Sequence, residues 1–174
     1  MTFEIYSDIT NRSMTIASRA MRRVLRRKRN IIWAIYGWSV FFINTLLLIP
    51  FDGEPFTLDA GTVISLLVEV MLLSALLFQD RINGMIACKN TLAGTKDYHI
   101  TFGEESYTVV TEVTTSTFRY ELIDAMAESQ DYMILLMKKR FAQPLDKRTL
   151  TGGTVEEFKR FLEEKTGKTF RRVK

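Results

Sequence analysis

One cysteine and one histidine in 174 residues leave little of the usual side-chain chemistry. The lone thiol, Cys88, excludes a disulfide within the chain and a cysteine-rich zinc site, and it suits a reducing compartment. Cys88 has no neighbouring base that would mark it as a nucleophile, so a structural role is expected. His99 falls in the middle of a strand-like stretch, where a surface or packing role is the ordinary one. No HExxH, P-loop, GxSxG or CxxC spacing occurs, which removes the common signatures of metal, nucleotide, nucleophile-elbow and redox chemistry. Neither an enzyme nor a cofactor is expected. Charge is also missing where it matters most. Ile31 to Phe51 carries no ionisable acid or base, and Ala60 to Phe78 carries only Glu69.

A helix needs about 20 mostly apolar residues to cross a hydrocarbon layer roughly 30 Å thick. The two uncharged runs therefore predict a transmembrane hairpin, with spans at 31–51 and 60–78 and a short external turn at 52–59. Arg19, Arg22, Arg23, Arg26, Arg27, Lys28 and Arg29 crowd the approach to the first span, whereas the turn holds Asp52, Glu54 and Asp59 and no base. Basic residues close to a span favour the cytoplasmic side, so both termini are expected inside. About 30 polar residues precede the first apolar run, and no cleavable leader is expected.

Ahead of the spans, residues 2–10 alternate, with Phe3, Ile5, Ser7 and Ile9 on one face, as in a half-buried strand. A lone strand needs a partner, and residues 1–10 are expected to join the C-terminal sheet. Residues 11–30 then read as a basic amphipathic helix with a stripe of Met14, Ala17, Met21, Val24 and Leu25. Its arginines suit anionic headgroups. The plainer alternative is a topogenic cluster whose side chains reach past apolar surface to water. Nucleic acid is not an expected partner beside a span. Within the spans, Asn44 and Glu69 are the polar residues. Groups of this kind at membrane depth mark a pathway or a helix contact, and a bond from protonated Glu69 to Asn44, or to a second copy, is the expected arrangement.

After a helical extension at 79–95, residues 96–174 read as a small cytoplasmic domain. Strands are expected at 97–102, 106–112, 116–120, 131–137 and 141–146, and 121–126 is too short for a helix of consequence. Thr154 and Glu157 have capping-box spacing ahead of a final helix with Val155, Phe158, Phe161 and Leu162 on one face. Gly152-Gly153 is expected to be a flexible lead-in to that helix, and 168–174 a basic tail. Lys138, Lys139, Arg140, Lys147 and Arg148 are a candidate second basic patch for lipid phosphate or an acidic partner. A solvated turn is the ordinary alternative.

Several short strands followed by an amphipathic helix resemble a pleckstrin-homology-like module. The order of motifs is also similar to the YcxB-like family of bacterial membrane proteins. The likeness is carried by Tyr98-His-Ile-Thr-Phe-Gly-Glu-Glu105 with Val109-Val-Thr111, Tyr120-Glu-Leu-Ile-Asp124, Asp131-Tyr-Met-Ile-Leu135, Leu145-Asp-Lys-Arg148 and Val155-Glu-Glu-Phe-Lys159. Tyr120 stands where that family commonly has tryptophan. The resemblance implies architecture and a bacterial cell-membrane setting, and it carries over no functional residue. The expected fold is thus an α+β membrane protein: a two-helix hairpin plus a cytoplasmic antiparallel β-sandwich closed by a C-terminal helix. The expected function is a non-catalytic anchored module that binds a protein partner or anionic lipid. The alternative is a subunit of a small oligomeric channel, transporter or bacteriocin-immunity assembly, in which Asn44 and Glu69 act within the membrane.

Overall fold

In the computed structural model, residues 2–49, 58–137 and 141–173 are described. The chain is α+β, with two long apolar helices and two four-stranded sheets. The first sheet has the order β1-β2-β3-β4, from β1 (Phe3–Asp8), β2 (Asp97–Phe102), β3 (Ser106–Thr111) and β4 (Thr115–Arg119), all antiparallel. The second has the order β7-β6-β5-β8, from β5 (Ile123–Glu128), β6 (Tyr132–Met137), β7 (Phe141–Asp146) and β8 (Phe170–Arg172). β1 lies along β2 with Phe3 opposite Phe102 and Ile5 opposite Ile100. Its alternation explains the placement, because Phe3, Ile5 and Ser7 are buried while Tyr6 and Asp8 face out. The N-terminal strand is therefore part of the same body as the chain beyond residue 96, and the helices are an insertion between β1 and β2.

Two clusters of buried side chains separate the layers. Phe3, Ile100, Phe102, Tyr107, Met126, Met133, Leu135 and Leu145 fill the space between the sheets. Phe158 and Leu162 of α4 (Val155–Thr166) join them from one end. The other face of the second sheet, through Ala127, Tyr132, Ile134 and Leu136, packs on Ala17, Ala20 and Met21. β6 is buried at every position because it faces both clusters, which accounts for its unbroken apolar sequence.

Two expectations need correction here. The second sheet is mixed rather than antiparallel, because β8 runs parallel to β5. The C-terminal residues form that strand instead of a free basic tail: Phe170 packs against the inner cluster, Val173 is buried in the outer one, and the Val173 amide donates to the Glu128 carbonyl at 2.7 Å. Residues 121–126, expected only to be too short for a helix of consequence, hold most of a 3₁₀ turn (Tyr120–Leu122) and the start of β5, a strand flanked on both sides. Its pairing with β6 shifts register between Ile123 and Ala125. The extra residue breaks the two-residue period by which a strand is recognised.

The helical insertion is also more segmented than a single basic helix at 11–30. α1 (Asn11–Ala20) starts on a reciprocal Thr10–Ser13 capping box, passes into a π-helical turn (Met21–Leu25), and breaks at Arg26. α2 (Arg27–Leu47) then begins ahead of the uncharged run. α3 (Ala60–Lys89) starts on Asp59, whose carboxylate accepts from the Thr62 amide at 2.7 Å. The backbone leaves helical geometry once within α3, at Phe78 (φ −103°, ψ 15°). α3 runs antiparallel to α1 and α2, since Gly84 meets Thr15, Asp80 meets Arg22, Gly37 meets Leu76 and Glu69 meets Thr45. The expected external turn at 52–59 and the end of the first span at Pro50–Phe51 lie almost wholly outside the described residues. α2 and α3 are long and apolar enough to cross a membrane by length and composition.

Candidate functional site

The basic residues ahead of the first uncharged run divide into sets with different tasks. Asp80 is 9% exposed, two residues beyond the Phe78 break. Arg22 Nε donates to its Oδ1 at 2.6 Å and Arg22 Nη2 donates to its Oδ2, a bidentate fork. Arg19 Nε lies 3.5 Å from the same carboxylate. Hydrogen bonding to Asp80 holds the Arg22 guanidinium above its ordinary pKa despite partial burial. Arg19 and Arg22 thus clamp α1 and its π-helical turn to α3. Asp80 was not among the sequence candidates. Its signal was available as a single acid just past an apolar span, opposite a basic run.

Arg22 also lies on the wall of a cavity of about 1150 Å³, together with Arg26 and Arg29. The cavity lies between the helical insertion, the β3–β4 end of the first sheet, and β7. Its arginine end is continued by Asn30, Trp33, Gln79 and Asn83, at the level of the breaks in both helices. Ile9, Ala17, Val109, Phe118, Phe141 and Ala142 supply much of the remaining wall. No carboxylate lines it among the described residues. Gln143, 5% exposed, belongs to the same wall, and its Oε1 is buried without a hydrogen-bond partner. Arg23 and Arg27 are exposed elsewhere on the segment.

Of the second basic patch only Lys147 and Arg148 are described, and each is bonded to an acid of the chain. Lys147 Nζ donates to Glu128 Oε1 at 2.6 Å and to the Ser129 carbonyl at 2.8 Å, while Lys159 Nζ donates to Glu128 Oε2 at 2.6 Å. Burial pushes the Glu128 carboxyl up, but the two ammonium groups prevail and hold it below its ordinary value. Arg148 forks onto buried Asp146, with Nη2 to Oδ2 at 2.6 Å, and that bond lowers the Asp146 carboxyl. Both cations are therefore consumed by internal acids. Lys138, Lys139 and Arg140 lie outside the described residues.

Among the remaining candidates, Glu69 accepts a hydrogen bond from Thr45 Oγ1 rather than from Asn44. Asn44 is one residue off that line, and its Nδ2 is buried without a partner. His99 stacks on Tyr6 at 4.1 Å between ring centroids, with Nε2 3.3 Å from Glu4 Oε2. Cys88 Sγ donates weakly to the Ile9 carbonyl at 3.6 Å. Gly152-Gly153 is a tight fit instead of a flexible lead-in: Gly152 has φ +88° and lies against the Thr2 carbonyl, and a Cβ on Gly153 would meet the Phe3 ring at 2.7 Å. Thr154 and Glu157 form the expected capping box.

Part of the chain matches a known family. The family model described as YcxB-like protein matches residues 102–162. The matched segment runs from the end of β2 through β7 and into α4, and it leaves out β1 and the helical insertion. No curated protein matches the chain.

Proposed function

We propose that this protein is a non-catalytic module anchored in a membrane by α2 and α3, with its two-sheet domain held at the cytoplasmic face to bind a partner. The observation that carries the reading is the uncovered apolar surface of the two helices. Ile32, Ile35, Phe42, Ile43 and Leu47 of α2, and Ile64, Leu67, Val70, Met71 and Leu77 of α3, are each more than half exposed. Soluble proteins rarely leave contiguous apolar surface on this scale, and a bilayer supplies the missing cover.

Orientation follows from charge. The arginine-rich end of the hairpin adjoins the domain, and in the sequence the acidic Asp52, Glu54 and Asp59 fall between the two apolar runs. The positive-inside rule then puts the domain and both termini in the cytoplasm. Trp33 and Tyr36 stand exposed near the start of α2, where aromatic residues commonly anchor a span at the headgroup level. The YcxB-like match covers residues 102–162, and the bacterial membrane setting and pleckstrin-homology-like description of the domain are what the resemblance implies. Engagement of Glu69 by Thr45 of the same hairpin favours helix packing over a transport role, because the acid already has a partner within the chain.

The test is side-specific thiol labelling in intact cells, in a Cys88→Ser background. Leu58→Cys is expected to react with a membrane-impermeant maleimide added outside. Lys168→Cys is expected to react only after the membrane is opened. Labelling of Lys168→Cys from outside, or recovery of the chain in the soluble fraction, overturns the reading.

A further inference from the structure

We infer that the free edge of β4 is a docking site for an extended peptide segment of a partner protein, which adds to the first sheet as a fifth strand. The inference rests on the membrane-anchored reading and gives the bound partner a chemical class and a site.

The two sheets have four edge strands, β1, β4, β7 and β8. Three of them are closed or short. β1 exchanges two backbone hydrogen bonds with Thr151 through Glu4, and its Tyr6 carbonyl accepts from Thr149 Oγ1. β7 carries Pro144, which has no amide hydrogen, and its Asp146 amide donates to Ser7 Oγ at 2.8 Å. β8 is three residues long. Prolines, lysines, bulges, inward charges and covering segments are the devices that keep natural edges from pairing further. β4 has no proline or lysine, pairs with β3 in one unbroken register, and turns uncharged Ser116 and Phe118 inward.

The ladder fixes which backbone groups face out. The Thr111 amide donates to the Thr114 carbonyl at 2.8 Å, so these residues form a bonded pair. Bonded and non-bonded pairs alternate along an antiparallel ladder. Val109–Ser116 and Tyr107–Phe118 are then bonded pairs, and Thr115, Thr117 and Arg119 turn their N–H and C=O groups away from β3. Those groups have no backbone partner among the described residues, and all three residues are exposed. Another strand satisfies such a row, with main-chain bonds for affinity and alternate side chains for specificity.

The surroundings give the segment its chemistry. Ser116 and Phe118 line the same cavity as Phe141, which is 54% exposed. Alternate residues of an added strand fall on that side, and apolar ones remove Phe118 and Phe141 from water. On the opposite face Arg119 is exposed and forms no ion pair among the described residues. An acid beside it in the added strand gives a favourable cross-strand pair. A second copy of this chain fits poorly. Antiparallel pairing of two β4 edges sets a two-fold axis perpendicular to the sheet. α1 lies on the face of the second sheet and runs antiparallel to α3, so the stacked sheets stand along the span direction. That axis would lie in the bilayer plane and invert one hairpin against the positive-inside orientation. A segment of another protein carries no such constraint.

The experiment pans random decapeptides displayed on phage against the full chain in phosphatidylcholine nanodiscs, with empty nanodiscs as control. Enriched peptides are expected to carry apolar residues at alternate positions. Methylation of single backbone amides in one enriched peptide is expected to abolish binding at every second position, because only alternate amides face β4. Thr117→Pro removes an outward N–H and no bond to β3. It is expected to weaken binding about tenfold by fluorescence anisotropy, as an unmade backbone bond would. A circular dichroism melt checks that the fold is kept, and Thr115→Pro replaces Thr117→Pro if that variant does not fold. Absence of enrichment, methylation tolerated without a two-residue period, or unchanged affinity in the proline variant overturns the inference. A disulfide between two copies of Thr117→Cys, in a Cys88→Ser background, also overturns it and assigns the edge to a second copy. In all these outcomes the chain is in the nanodisc, and the anchoring stands. Failure to enter nanodiscs defeats the membrane reading instead.

Discussion

Two glycines show how a single missing methyl group sets the helix contacts. A Cβ on Gly84 would lie 2.5 Å from the Thr15 amide nitrogen and 2.6 Å from its Cα, so α3 approaches the backbone of α1 at that point. A Cβ on Gly37 would meet only the end of the Leu76 side chain, at 2.7 Å. Backbone cannot step aside, and a leucine methyl can. Gly84→Ala is therefore expected to cost about 1–3 kcal/mol, the range for overpacking a tight contact, and Gly37→Ala clearly less. Thermal unfolding of the detergent-solubilised chain measures both, and equal destabilisation would contradict the backbone contact. Neither glycine announces its role in the sequence, since both stand in helical stretches with no turn signal around them. Asp80 was more legible. It is the one acid between Glu69 and Lys89 in α3, and Arg19, Arg22 and Arg26 recur at three- and four-residue spacing on the facing segment. What the spacing does not reveal is that the helix breaks at Arg26 and sends Arg22 inward and Arg29 toward the cavity.

Among the elements, β1 was legible because its period-two pattern is uninterrupted, while β5 and β8 were not. β5 carries a register shift and is rich in residues of weak strand preference, Asp124, Ala125, Ala127 and Glu128. β8 is three residues long, and two of them, Arg171 and Arg172, are exposed. Tertiary pairing makes both into strands. Glu128 at the end of β5 then joins three elements, holding Lys147 after β7 and Lys159 on α4. Its carboxyl is held below its ordinary value in the folded chain. The unfolded chain consequently binds more protons as the pH falls through the ordinary carboxylate range near ~4.3. The Glu128 contribution is thus complete above that range and disappears as the pH passes down through the folded value. Asp146 with Arg148 acts in the same direction. Unfolding midpoints measured from pH 7 to pH 3 are expected to fall at the acid end, and Glu128→Gln is expected to flatten that fall. An unchanged acid limb in Glu128→Gln would remove this pair from the account.

Across the whole molecule, the contact between Asp80 and the two arginines decides whether anchor and domain move as one. α1 packs on the outer face of the second sheet through Ala17, Ala20 and Met21, and α3 packs on α1 through Gly84. The charged fork sits between these contacts and the helix breaks at Arg26 and Phe78. Without it, the breaks are points at which the spans can swing relative to the sheets. Hydrogen bonds to charged groups contribute about 1.5–3 kcal/mol each, enough to hold one arrangement against thermal motion. Asp80→Asn keeps the shape and removes the charge. Spin labels at Val63→Cys and Lys168→Cys, in a Cys88→Ser background, are expected to report a narrow distance distribution in the native chain and a broader one in Asp80→Asn. The sheets are expected to melt within about 1 kcal/mol of the native chain, because neither buried cluster between or beside them contains Asp80. Adding Arg22→Gln to Asp80→Asn removes the guanidinium left without its acid, and the double variant is expected to keep the broad distribution. A distribution that stays narrow in Asp80→Asn would assign the rigidity to the α1–α3 packing at Gly84 alone.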